Sequence, residues 1–213
     1  MTTESIPLER FNTAADSLIV AMLEDLFCSR ELAVRVVLAR PFGSVEEAAE
    51  YADAALFRLP DEVVRDAVNA HPAIGGKVAP GSHSAKEQSQ ALASQAGSSA
   101  PHRSGEDQGA ESTSDTLARI RQVSADYEQR FGYRYLVRAA GLSAADILAD
   151  LTSRMGNDDV SEWLITRKNL ASINDLRLHN AIADHQPAHP APAHNPTHNP
   201  SQHSAPRTQE AAS

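Results

Sequence analysis

Between His185 and Ser213 the chain has no Leu, Ile, Val, Phe, Tyr or Trp. The same stretch holds six of the 12 prolines and five of the nine histidines. Such a segment cannot bury enough apolar surface to offset the entropy of ordering it. It is expected to be a disordered His/Pro-rich tail over residues 185–213. A second stretch, 94–114, is built of small, polar and charged residues and also lacks a large apolar side chain. It is expected to be a mobile polar loop. About 163 of the 213 residues remain to build a fold, which predicts one domain over residues 6–184.

Several function classes are disfavoured before any motif is considered. The formal charge of −9 argues against a protein whose task is to coat nucleic acid. Cys28 is the only cysteine, which excludes an internal disulfide framework and a zinc site built from cysteines. No apolar run reaches the roughly 18–20 residues of a membrane span. The first residues lack the basic-then-apolar order of a secretory signal, so a cytoplasmic location is expected. The tail histidines stand at 185, 189, 194, 198 and 203, among Pro and Asn spacers that impose no ligand geometry. Weak metal binding by the tail is the most they imply, and no metal site is assigned.

The remaining pattern is helical. Leu18, Ile19, Met22, Leu23, Leu26 and Phe27 recur on one helical face, with Thr13 as the expected N-cap. A helix from about Arg30 must stop before Pro41. Ser44 and Glu47 have capping-box spacing ahead of Val45 to Arg58. Asp61 is the expected cap of a helix carrying Val63, Val64, Ala67 and Val68. Ser84 and Glu87 repeat the capping-box spacing. Leu117, Ile120, Tyr127 and Phe131 mark a helix that Gly132 ends. Tyr133 to Val137 reads as a short extended link. Ser143 caps a helix with Ile147, Leu148, Leu151 and Met155, and a last helix runs from about Asp159 with Trp163, Leu170, Ile173 and Leu176 inward. About eight helices, with no alternation of strand and helix, predict an all-α bundle.

Chemistry is concentrated in a break between helices, His71-Pro-Ala-Ile-Gly-Gly-Lys77. His71 ends a helix before a proline, and imidazole titrates near neutrality, which suits proton transfer. A histidine favoured at a helix C-terminus by the macrodipole is the plainer reading of the same position. Gly75-Gly-Lys77 is not a phosphate loop, because His71 stands at the first glycine position and Val78 follows the lysine. Ser84, Glu87 and Gln88 open a helix, where free N–H groups favour an anion. There Glu87 is placed to orient His71, and Gln88 offers both a donor and an acceptor. Arg177 is a further candidate, since a guanidinium binds carboxylate in a bidentate way.

Taken in order, His71-Pro-x-Ile-Gly-Gly-Lys77, Ser84-x-x-Glu-Gln88 and Tyr127-x-x-x-Phe-Gly-Tyr-x-Tyr-Leu-Val137 resemble the OHCU decarboxylases. These enzymes of urate breakdown act on 2-oxo-4-hydroxy-4-carboxy-5-ureidoimidazoline. Phe11-Asn12, Cys28-Ser-Arg30, Arg40-Pro-Phe42, Arg154-x-Gly-Asn157, Glu162 and Leu176-Arg-Leu178 agree with the same family. The resemblance implies an all-α homodimer that decarboxylates its substrate to (S)-allantoin without a cofactor. It places the catalytic histidine on His71 with Glu87 as its partner. It places substrate contacts on Pro72, Ser84, Gln88 and Arg177, and on the backbone of Tyr135, Leu136 and Val137. Arg134 stands where the family often has proline. A non-enzymatic helical binding module, or a lyase for another ureido acid, is the alternative reading.

Overall fold

The computed structural model describes residues 5–74 and 113–183. The helix expected from Ser84, residues 94–112 of the expected loop and the tail from His185 lie outside the described residues. Eight helices occur among those described, with almost no strand: α1 (Leu8–Thr13), α2 (Asp16–Phe27), α3 (Arg30–Leu38), α4 (Val45–Leu56), α5 (Asp61–Ala70), α6 (Thr113–Phe131), α7 (Ala144–Arg154) and α8 (Asp159–Ala181). A two-residue parallel pairing joins β1 (Ile6–Pro7) to β2 (Ile182–Ala183). The fold is all-α, as the periodicity predicts. Its eight described helices are nevertheless not the eight expected from sequence.

A short helix that the sequence reading did not include, α1, precedes the first expected one, which is α2. Thr13 does not cap α2; it closes α1, its hydroxyl donating to the Glu9 carbonyl at 2.9 Å. Ala14 is extended. Arg40, 26 residues further on, donates to the Ala14 carbonyl at 3.3 Å and to that of Phe11, and pairs with Asp16 at 2.5 Å. A distant guanidinium therefore satisfies the helix end at this break, a device with no local signature. The buried stripe of α2 is Ile19, Val20, Leu23, Leu26 and Phe27; Leu18, expected inward, is 54% exposed.

Caps explain most other boundaries. Ser29 accepts from the Leu32 N–H and starts α3, and Ser44 accepts from the Glu47 N–H and starts α4. Glu47 returns to the Gly43 N–H at 2.6 Å rather than closing the expected box on Ser44. Ser143 and Asp146 form a full capping box on α7. Gly132 ends α6 at φ +75°, a conformation that costs glycine little. Two expectations fail here. Pro60 is the N-cap residue of α5, and Asp61 instead accepts from the Trp163 indole at 3.0 Å. Thr113 and Ser114, assigned to the loop, already belong to α6.

α8 is the spine of the bundle. It packs along α4 and touches α2, while α2 packs on α3 and α6 on α7. Its buried residues include Leu170, Ile173 and Leu178, but also Glu162, Thr166, Asn174 and Arg177. A 23-residue helix with this many buried polar groups does more than fill a core.

Candidate active site

His71 caps the C-terminus of α5, extended at ψ 141° because Pro72 disfavours a helical residue before it. It is 3% exposed. Its main-chain N–H donates to the Val68 carbonyl at 3.2 Å. The ring Nδ1 lies 2.7 Å from the Ala67 carbonyl, which has no proton to give, so Nδ1 carries the hydrogen. In the neutral ring that leaves the lone pair on Nε2. There a second donor arrives: Arg177 Nη1, on α8, lies 3.2 Å from Nε2. The same Nη1 donates to the Leu26 carbonyl near the end of α2 at 2.8 Å, and Arg177 is as buried as His71. Two of the residues singled out by sequence, 106 positions apart, thus meet in the interior. The helix-end reading of His71 is also satisfied, since Ala67 supplies one of the last carbonyls of α5.

The extended link after α6 runs beside this pair. Arg134 donates from Nη1 to the His71 carbonyl at 2.6 Å, and its own N–H donates to Asn69 Oδ1 at 3.0 Å. At the far end the Arg138 N–H donates to Asn169 on α8 at 3.2 Å. Tyr135 and Leu136 between them are buried, and Val137 is half-buried. Tyr135 donates to Asp150 at 2.5 Å; burial and then that hydrogen bond push its phenol well above the ordinary range. Pro72 is half-buried beside His71. Ser84, Glu87 and Gln88 lie outside the described residues.

Beneath the link sits a buried ion pair. Arg154 donates to Glu162 Oε1 from Nε at 2.8 Å and from Nη2 at 2.6 Å, and to the Leu136 carbonyl from Nη1 at 2.9 Å. Tyr127 also donates to Glu162, and Asn157 does so at 2.8 Å. Burial opposes the charge on Arg154, but the hydrogen bonds and charge of Glu162 prevail and hold it above the usual arginine range. Both residues belong to the motifs quoted above, yet the sequence assigned neither a role. Glu162 opens α8, where an exposed carboxylate facing the helix dipole is the ordinary expectation.

A cleft of about 530 Å³ opens elsewhere, between α4 and α8, lined by Glu46, Glu50, Asp53, Lys168, Asp175 and His179 among others. Burial, and then the charge of Asp175, raise the Asp53 carboxyl above its ordinary value. Four carboxylates against one lysine and one histidine make this cleft a poor host for an anionic substrate. His71 and Arg177 are not among its walls. Among the described residues, no group of three or more His, Cys, Asp or Glu side chains is placed to hold a metal ion, and no helix is long and apolar enough to cross a membrane.

Comparison with known proteins addresses the fold and the family. Among solved structures, the crystal structure of OHCU decarboxylase in the presence of (S)-allantoin superposes with a TM-score of 0.58 at 22% identity, covering 78% of this chain and 96% of that one. The crystal structure of (S)-allantoin synthase superposes with a TM-score of 0.61 at 12% identity, covering 84% of this chain and 54% of that one. At these identities the two establish a shared fold. No curated protein sequence matches the chain. The OHCU decarboxylase family, however, matches over residues 12–179. That span is most of the chain, and the protein belongs to the OHCU decarboxylase family, carboxy-lyases of urate breakdown.

Proposed function

We propose that the meeting point of His71 and Arg177 is the centre at which this chain decarboxylates 2-oxo-4-hydroxy-4-carboxy-5-ureidoimidazoline to (S)-allantoin. The observation that carries the reading is the 3.2 Å contact of Arg177 Nη1 with His71 Nε2, both side chains buried. Loss of carbon dioxide leaves an electron pair on the carbon that bore the carboxylate. The adjacent carbonyl- and nitrogen-rich ring delocalises that pair, so the substrate is its own electron sink and the reading needs no cofactor. The protein must hold the carboxylate, steady the developing charge and protonate one face.

Each task has a residue. Arg177 binds the carboxylate or a ring carbonyl through its fork of donors. His71 moves the proton at Nε2, the ring nitrogen that bears the lone pair while the Nδ1 hydrogen faces the Ala67 carbonyl. Glu87 pairs with the imidazole once Nε2 carries the proton. Ser84 and Gln88 hydrogen-bond the ring or the ureido group, and the backbone of Tyr135, Leu136 and Val137 together with Pro72 shapes the wall. Several hydrogen bonds fixing one pose would select a single face for protonation.

The unit that does this is proposed to span residues 6–184, acting as a cytoplasmic homodimer. The pairing of Ile6 with Ile182 and of Pro7 with Ala183, which closes the two ends of that unit on each other, supports the boundary. The tail is proposed to bind metal weakly and to take no part in the reaction. The direct experiment generates the unstable substrate in place from urate with the two upstream enzymes and follows allantoin chirality by circular dichroism. Faster appearance of one enantiomer is expected. An unaltered rate with racemic product would overturn the reading.

A further inference from the structure

One turn before Arg177, α8 carries Asn174, equally buried at 3% exposure. Among the described residues, neither its amide nitrogen nor its amide oxygen has a hydrogen-bond partner. Buried amides are normally paired, because the hydrogen bonds lost from water must be replaced. The neighbours Leu170, Ile173 and Leu178 are buried and apolar, so an aliphatic residue would suit the position better on packing grounds alone. Residues three apart on a helix are surface neighbours. Long helical side chains also lean towards the N-terminus, which carries Arg177 back along the turn that holds Asn174. Arg177 in turn reaches His71 Nε2. One turn from Arg177, α8 therefore carries a buried donor and acceptor that the described residues leave unused.

A primary amide presents its C=O and NH₂ side by side, the complement of an N–H and C=O edge on another amide or a urea. The substrate of the proposed reaction carries a ureido group with such an edge. We infer that Asn174 binds the ureido group of the substrate through a pair of hydrogen bonds and so selects for ureido-bearing rings. The inference rests on the reading of His71 and Arg177 as the reaction centre.

The full chain is tested as wild type, Asn174→Leu and Asn174→Ala. Binding of (S)-allantoin, which bears a ureido group, and of hydantoin, which lacks it, is measured by calorimetry. Wild type is expected to favour allantoin. Both variants should weaken allantoin binding about tenfold or more, as for a lost pair of hydrogen bonds, and leave hydantoin within about twofold. Asn174→Leu should also raise the midpoint of thermal unfolding by about 2–4 °C, since an unpaired buried amide is removed. A merely structural asparagine gives the opposite signs: a lower midpoint and unaltered allantoin binding. The inference is overturned if wild type does not favour allantoin, or if the variants lose allantoin and hydantoin affinity equally. Failure of the wild-type protein to accelerate decarboxylation would instead refute the reading of the centre itself.

Discussion

Breaking the Arg154–Glu162 pair on one side only should unfold this protein more readily than removing both charges together. The pair is almost fully buried, with side-chain exposures of 5% and 0%. Arg154→Met leaves the Glu162 carboxylate inside the bundle with only Tyr127 and Asn157 as neutral donors. Leaving one member of a buried pair uncompensated costs about 3–5 kcal/mol. For a domain of this size that lowers the thermal midpoint by roughly 10 °C or more. Glu162→Gln leaves the opposite charge stranded and should cost a similar amount. The double variant Arg154→Met/Glu162→Gln has no buried charge. Its main remaining loss is the Leu136 carbonyl, stripped of the 2.9 Å bond from Arg154, at about 1–3 kcal/mol, with the weaker bonds to Thr166 at 3.2 Å and Asp150 at 3.4 Å lost beside it. The double variant should therefore be more stable than the sum of the single losses requires, by about 3 kcal/mol or more. Urea denaturation of all four proteins, with the two-state slope checked in each, measures this coupling. Losses that simply add would show that the two charges do not depend on each other, and the reasoning would fall.

Replacing His71 by Asn should lower kcat roughly 10²–10⁴-fold, the usual worth of general acid–base help. Arg177→Lys keeps the charge but loses the fork, so KM should rise at least about tenfold; steady-state kinetics with both variants unchanged would remove these roles. His179 gives a pH effect away from the centre. Its Nδ1 donates to the Asp175 carbonyl, and that bond, with the charges of Asp175 and Glu46, raises its pKa above 6.5 despite partial burial. A raised pKa means that the stability from the charged ring is whole below about pH 6.5 and fades as pH rises through the folded value. Thermal midpoints of His179→Gln should lack that decline, and a decline equal to the wild type's would exclude His179 as its source. Deleting residues 185–213 should leave decarboxylation unaltered, as read by the chirality assay; a loss of activity would assign the tail a part in the reaction.

How much of this was legible in the sequence depends on how local the signal is. Ser44, Ser143 and Gly132 act within a turn of themselves, and each marks the helix end expected of it. Asp61 misleads because proline before it can fill the cap position, which frees its carboxylate for Trp163 and Arg167. Thr13 misleads because it closes a separate helix, α1, whose last carbonyls Arg40 satisfies, and no pattern around Thr13 contains Arg40. The polar residues of α8 mislead in another way. Nothing local marks Glu162 and Asn174 as inward-facing in a long helix, and both are buried.

Helical periodicity, caps and the order of short motifs are properties of the chain read a few residues at a time. By themselves they settled the all-α class and the resemblance to a decarboxylase family. They also named His71 and Arg177 as separate candidates. Only the tertiary structure decided that the two touch, that Ala67 leaves the lone pair of His71 on Nε2, and that Arg154 and Glu162 lie buried under the link beside them. The physical reason is distance along the chain. A contact across 106 residues follows from the angles at which α2, α5 and α8 pack, and those angles are set by the whole core at once.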